Sequence, residues 1–332
     1  MLLIVLNHTI EMGTKVPVES GFPPVAGGLL VVLNQLKNLG VFGVPVFLFI
    51  SGAFTSYAAK GTPPKLTARF LFAVLSRICC PYVLWSAAFY SVIFLQFGEK
   101  YTPQGYIKNL LVGYPFHFIP LLLFFYLVSP LLVRLGRRHG LSLVVGFGAY
   151  QLLLLGVLRT TALPQQSKIL VPPVLGGTLA LWAIYFPLGL VYGLHKGAML
   201  PCLQKAKVLS ALSAAVLFVL GVLDSTRILD LPLAISLAPI AFVMILPVID
   251  RQSIPLVEAL ETIGKRSYGL YLTQLLVLDL TLLAAGTFVP WLLGYSVALF
   301  PLLFMSAIAV PLLVMQGLAR SPARAVHRYV FG

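Results

Sequence analysis

The sequence predicts an all-α protein, a polytopic bundle of transmembrane helices with about ten spans. Of its 332 residues, 59% are hydrophobic and only 10% are charged, whereas soluble domains carry about 25% charged residues. The apolar residues lie in continuous runs near the length of about 20 residues that a membrane-crossing helix needs. They do not alternate with polar residues, which disfavours the strands of a membrane barrel.

Ten apolar runs are the predicted spans. The first run has only twelve residues and would extend about 18 Å as a helix, which is less than the roughly 30 Å of the hydrocarbon core. We therefore expect the first span to be truncated or half-inserted, within a single membrane-embedded domain of residues 1–332. The runs are 1–12, 36–58, 78–97, 115–133, 141–158, 178–195, 208–223, 231–249, 268–288 and 291–317.

The basic residues predict the orientation in the membrane. If the first helix runs outward, the segments on the cytoplasmic side hold 16 of the 23 Lys and Arg residues. Because cytoplasmic loops collect Lys and Arg, both termini are predicted to be cytoplasmic. This topology accounts for the net charge of +14, and no nucleic-acid module accompanies the charge, so no nucleic-acid partner is predicted. The cytoplasmic segments are 60–77, 134–140, 195–207, 250–267 and the tail from 318.

A histidine and a glutamate interrupt the first apolar run, in "LIVLNHTIE". His8 and Glu11 are three residues apart, so both side chains project from one face of a helix. A carboxylate can fix the tautomer of an imidazole that acts as a base. The structural alternative is a histidine near a helix end that hydrogen-bonds a backbone carbonyl.

Two arginines flank "FLFAVLS", the segment before the third span. Arg69 and Arg77 either anchor that helix at the interface or hold the phosphates of a donor through paired hydrogen bonds. No spacing of His or Cys ligands typical of a metal site occurs, so no metal is predicted.

Other polar residues lie within or beside spans. His117 is either functional or part of an interfacial aromatic belt. Ser51 belongs to "FLFISGAF", in which small residues allow close helix packing. Tyr271 and Gln274 can hydrogen-bond across the bundle, and Asp279 is expected to be protonated or bound to another helix.

Six segments occur in an order that resembles one protein family, the integral-membrane acyltransferases of the acyltransferase-3 type. That family includes O-antigen and Nod-factor O-acetylases and glucan succinyltransferases. The similarity extends over nearly the whole chain. The segments are "LIVLNH", "FLFISG", "SRICCPYVLWS", "HFIPLLLFFYLVSPLL", "FPLGLVYGLH" and "IGKRSYGLYLTQLLVL".

The sequence departs from the family pattern at several positions. The family has an arginine eleven residues before the first-span histidine, which would fall ahead of Met1, so we expect an N-terminal part to be missing from this sequence. Gln274 stands where the family has a histidine and cannot take up a proton. Ile119–Pro120 replaces a frequent Trp-Phe pair.

The resemblance implies an enzyme of a bacterial inner membrane. It would move an acyl group, foremost acetyl, from acyl-CoA to a hydroxyl of a cell-surface or exported glycan, with no permanently bound cofactor. His8 would be the base and Glu11 would orient it, while Arg77 and Arg69 would bind the donor. Further site residues would be His117, Ser51 and Tyr271. The alternatives are a transporter or flippase of a glycan or lipid-linked intermediate, and an inactive truncated family member.

Overall fold

The computed structural model describes residues 1–59, 66–159, 169–226 and 234–332, and these contain helices and no strand. The predicted all-α class is therefore confirmed. The α-helices are α1 Leu2–Glu19, α2 Gly27–Asn38, α3 Gly43–Ala58, α4 Ala68–Phe97, α5 Pro103–Val112, α6 Phe118–Arg159, α7 Gly176–Trp182, α8 Tyr185–Leu194, α9 Lys196–Ser225, α10 Ala234–Ile245, α11 Val257–Lys265, α12 Ser267–Phe288, α13 Ser296–Arg320 and α14 His327–Val330.

Each of the ten predicted apolar runs overlaps a helix. By length and composition, six helical stretches in the described part of the chain can cross a membrane, or seven if the pair α7–α8, bent by 48°, is one span. The chain is thus a multi-pass membrane protein. The six stretches are Gly27–Ala58, Ala68–Phe97, Phe118–Leu158, Lys196–Asp224, Ser267–Phe288 and Ser296–Arg320.

The long helix α6 is a hairpin of two helical halves. Its residue His139 has non-helical backbone angles, φ −137° and ψ 49°. A continuous helix would hold Phe125 and Phe147 about 33 Å apart, yet their ring centroids are 6.0 Å apart. The chain therefore turns back at His139, and the two predicted spans 115–133 and 141–158 form the two halves.

The first helix is longer than predicted. α1 runs from Leu2 to Glu19, or 18 residues, which corresponds to about 27 Å. Its second half carries Lys15 and Glu19, which form an ion pair of 3.6 Å across one helical turn. Because these residues are charged, hydropathy did not assign this half to the helix. The boundary at residue 12 was wrong because helical hydrogen bonding continues through residues that hydropathy excludes.

The described residues form two compact units. The first comprises Met1–Gly43, Cys79–Gly98 and Asp250–Gly332, and the second comprises Val44–Ile78 and Glu99–Ile249. The single domain over 1–332 stays a prediction.

In the first unit, α1 packs against α12 and α13. A Cβ at Gly13 would lie 2.7 Å from the ring of Phe300, near the start of α13, so the absence of a side chain there permits the contact. Phe22 follows the end of α1, and Gly294 follows the end of α12. The two residues are in contact, since a Cβ at Gly294 would lie 2.9 Å from the Phe22 ring. α1 and α12 therefore end on the same side of this unit and run in the same direction.

In the second unit, α3 and α8 approach each other through glycines. A Cβ at Gly52 would lie 2.1 Å from the carbonyl oxygen of Phe186, and one at Gly189 would lie 1.9 Å from the carbonyl oxygen of Phe49. Only residues without a side chain allow the two backbones so close, which is the small-residue packing predicted for this segment.

The predicted orientation in the membrane stays a prediction. The described residues include most of the basic residues on which it rests. Four of them, Lys60, Lys65, Lys168 and Arg227, lie outside the described residues.

Candidate active site

Two residues of α1 near the first-span histidine in sequence form polar contacts with the end of α2. Asn7 donates a hydrogen bond from Nδ2 to the backbone oxygen of Lys37 at 3.1 Å. The Lys37 ammonium lies 3.5 Å from Oε2 of Glu11. α1 is thereby connected to the end of α2, and the carboxylate predicted to orient His8 also takes part in an ion pair.

His8 itself is half-buried. The helical period places it midway between Val5 and Glu11, about 60° around the axis from each. Val5 is fully buried in a core cluster with Leu270 and Leu278 of α12, whereas Glu11 is directed to Lys37. The imidazole therefore projects between the face of α1 that packs on α12 and the face that meets the end of α2.

α12 contributes two buried polar residues to this unit. Tyr271 is 6% exposed and Gln274 is 0% exposed. Among the described residues, neither Nε2 nor Oε1 of Gln274 has a hydrogen-bond partner. A buried amide without hydrogen-bond partners is costly to stability.

Asp279 was predicted to be either protonated or bound to another helix, and the structure shows the second arrangement. Its Oδ2 accepts a hydrogen bond of 2.8 Å from Nε2 of Gln96 on α4. This contact lies within the first unit and gives the carboxyl a structural partner.

The second unit carries a basic end at the α6 turn. Arg134, Arg137 and Arg138 are exposed there. Nε2 of His195 lies 2.9 Å from the backbone oxygen of Gly136, which holds the turn against the junction of α8 and α9.

One further contact places Lys196 and Tyr57 at this basic end. The ammonium of Lys196 lies 5.9 Å from the ring centroid of Tyr57, near the end of α3. From residue 100 to residue 223 the sequence contains no Asp or Glu, so this stretch supplies no counter-charge. The structure thus assembles a positive surface whose members are far apart in the sequence.

The predicted donor-binding arginines belong to the second unit as well. Arg69 and Arg77 are exposed and lie on α4. Arg69 follows the end of α3 by a short connection, part of which lies outside the described residues. Sequence reasoning identified these two arginines but missed the basic α6 turn, although the "RLGRRH" sequence between two apolar runs carried the signal.

The remaining predicted residues also lie in the second unit. Ser51 is 7% exposed. The hydroxyl of Thr55, one turn further along α3, donates a hydrogen bond of 2.8 Å to the backbone oxygen of Ser51. His117 is exposed, and its ring meets that of Tyr114 edge-on at 6.2 Å. The structure therefore buries Ser51 and leaves His117 at a surface.

A family model described as an acyltransferase domain matches residues 1–316. The chain belongs to the acyltransferase-3 family. The match covers the half-buried His8 of α1, the arginines of α4 and the buried α12 segment around Gln274. No solved structure matches this acyltransferase-3 chain.

This family member is also similar to proteins of Staphylococcus aureus described as a probable poly-beta-1,6-N-acetyl-D-glucosamine export protein. Those of strains MSSA476, MRSA252 and N315 are each 25% identical to it over 263 residues. The aligned part covers 76% of this chain and 73% of each relative.

Proposed function

We propose that this membrane protein transfers an acyl group, foremost acetyl, from acyl-CoA to a hydroxyl of an exported or cell-surface glycan. The observation that carries the proposal is the family match over residues 1–316, which includes a half-buried histidine. The relatives named for a polymer of N-acetylglucosamine support a polysaccharide as the acceptor.

In this proposal, His8 acts as the general base. Its neutral imidazole takes the proton of the acceptor hydroxyl while the hydroxyl oxygen attacks the thioester carbonyl, which is worth typically about 10²–10⁴ in rate. An ester C–O bond forms, the C–S bond breaks, and coenzyme A leaves as a thiol with the proton. The bonds from Asn7 and Glu11 to Lys37 fix the α1 segment that carries the imidazole. Transient acylation of His8 is the second route.

Arginines bind the donor in this proposal. Arg77 and Arg69 hold its phosphates, because a guanidinium makes two parallel hydrogen bonds to phosphate oxygens. The exposed arginines of the α6 turn belong to the same unit as Arg69 and Arg77 and are also positively charged. They extend the positive surface available to a polyanionic donor. Both sets lie in segments predicted to be cytoplasmic, the side on which acyl-CoA is found.

The name of the relatives favours a second function, export of the glycan. Buried polar groups such as Gln274 and Tyr271 would then contact a moving substrate. The two functions differ in whether a thioester is consumed.

The discriminating experiment uses the full chain in proteoliposomes with radiolabelled acetyl-CoA and oligomers of β-1,6-linked N-acetylglucosamine. Acyl transfer predicts free coenzyme A thiol together with label in the oligomer. Movement of the oligomer across the bilayer without thiol release would reject the transferase and support the exporter. Arg77→Gln is expected to raise the KM for acetyl-CoA roughly tenfold or more, whereas Arg320→Gln, outside the α4 site, should leave it unchanged.

A further inference from the structure

The C-terminal segment beyond α13 is fixed to the first unit. Nε1 of Trp85 donates a hydrogen bond of 2.7 Å to the backbone oxygen of Val330. Phe331 is 4% exposed, and its ring centroid lies 5.8 Å from that of Trp85. A Cβ at Gly269 of α12 would lie 3.0 Å from Cβ of Phe331, so the tail packs where only a glycine fits.

Beside this anchored tail, an open cavity lies between the tail and the end of α13. Its volume is about 480 Å³. Three of its lining residues are basic types, Arg324, His327 and Arg328, and the others are alanines.

No acidic residue of the sequence follows Asp279. The last two helical segments therefore contribute positive charge to the cavity and no carboxylate of their own. Two arginines that converge on one cavity present planar donors that match the oxygens of a phosphate in two-pronged hydrogen bonds.

The surroundings fit a membrane surface. Val326 and Tyr329 flank the basic residues in the tail, and each side chain is 48% exposed. Arg328 hydrogen-bonds the hydroxyl of Tyr329 and lies over its ring. Amphipathic aromatic residues of this kind lie at the level of lipid headgroups, where clusters of arginines bind anionic lipids.

We propose that this tail cavity binds a phosphate group through Arg324 and Arg328. The phosphate can belong to the headgroup of an anionic lipid or to a soluble phosphate compound. The site lies in the first unit, and its lining residues do not include the arginines of α4.

The test uses the purified full chain in detergent micelles. Binding of phosphatidylglycerol, phosphatidylcholine and inorganic pyrophosphate is measured for each variant by native mass spectrometry and by the shift in melting temperature. The variant is R324Q/R328Q, and K205Q/R320Q is the control, which removes the same charge from exposed basic residues outside the cavity.

We expect R324Q/R328Q to bind phosphatidylglycerol at least tenfold more weakly than the control variant does. Loss confined to phosphatidylglycerol identifies a lipid headgroup, and a parallel loss for pyrophosphate identifies phosphate from either source. If R324Q/R328Q and the control variant bind phosphatidylglycerol equally and also bind pyrophosphate equally, the proposal is overturned. If the double variant does not fold, R324Q alone, at an exposed side chain, gives the same comparison against R320Q.

Discussion

Phe125 and Phe147 lie on opposite halves of α6, with ring centroids 6.0 Å apart. Phe125 also stacks on Phe186 of α8 at 4.9 Å, and Gln151 accepts a hydrogen bond from the backbone of Ile184 at 3.1 Å. Residues from both halves thus meet the same end of α8. These contacts require the chain to reverse direction at His139.

The reversal predicts a cross-link. In a variant lacking Cys79, Cys80 and Cys202, the pair F125C/F147C should be joined by a short bifunctional thiol reagent, because the two positions face each other. The readout is a closed-loop peptide in mass spectrometry after proteolysis. F125C/L141C is the control and should remain unlinked, since Leu141 follows the turn. An unlinked F125C/F147C pair would mean that α6 is straight.

The α3–α8 contact predicts a large cost for a single methyl group. G189A should lower the melting temperature in detergent by several degrees, because the added Cβ has no space beside the carbonyl of Phe49 and such overpacking costs about 1–3 kcal/mol or more. G156A on α6 is the control, because a Cβ there meets nothing within 4 Å. Equal melting temperatures for the two variants would argue against this helix packing.

The contact between Gln96 and Asp279 predicts a coupling energy. Q96L should destabilise the protein by about 1–3 kcal/mol, because it leaves the carboxyl without the amide that binds it. D279L removes both the carboxyl and that penalty, so Q96L/D279L should cost less than the sum of the single variants. Unfolding in mixed micelles measures the three free energies. Strict additivity would show that the two side chains do not interact.

An ion pair outside the spans predicts a pH dependence. Nε of Arg251 lies 2.7 Å from Oε1 of Glu261, and this hydrogen bond lowers the pKa of the Glu261 carboxyl. A lowered folded-state pKa stabilises the folded protein above the unfolded-state pKa, and the effect is lost as the pH falls through the folded-state pKa. Both side chains are well exposed, so the effect is small.

Carboxyl carbon NMR measures this shift. R251Q should raise the pKa of Glu261 toward its ordinary value, whereas R266Q, at the end of α11, should leave the hydrogen bond in place. An identical Glu261 titration in wild type and R251Q would remove Arg251 as the cause.

The sequence predicted the helices well because each long apolar run has to be buried in lipid or protein. It also predicted the two halves of α6, since "RLGRRH" separates two such runs. The hydrogen-bond and ion-pair partners of the polar side chains could not be predicted from the sequence. Lys37 meets Asn7 and Glu11, and Gln96 meets Asp279, only because the tertiary fold places distant segments side by side.

The candidate site was predicted in its parts. His8, Arg69 and Arg77 were identified from residue type, position and family resemblance. The arginines of the α6 turn stand together in "RLGRRH" but were not assigned to the site. Their association with the junction of α8 and α9 depends on the contact between His195 and Gly136. No local pattern in the sequence records that contact.

The most direct test of the central proposal is the rate of acyl transfer by H8Q. Wild type, H8Q and K15Q are compared as full chains in proteoliposomes, with acetyl-CoA thiol release and labelled glycan as paired readouts. Glutamine keeps hydrogen bonding and cannot serve as the base, so H8Q should lose at least about a hundredfold in rate, while K15Q on the same helix keeps the wild-type rate. Undiminished transfer by H8Q would contradict the assignment of His8 as the base.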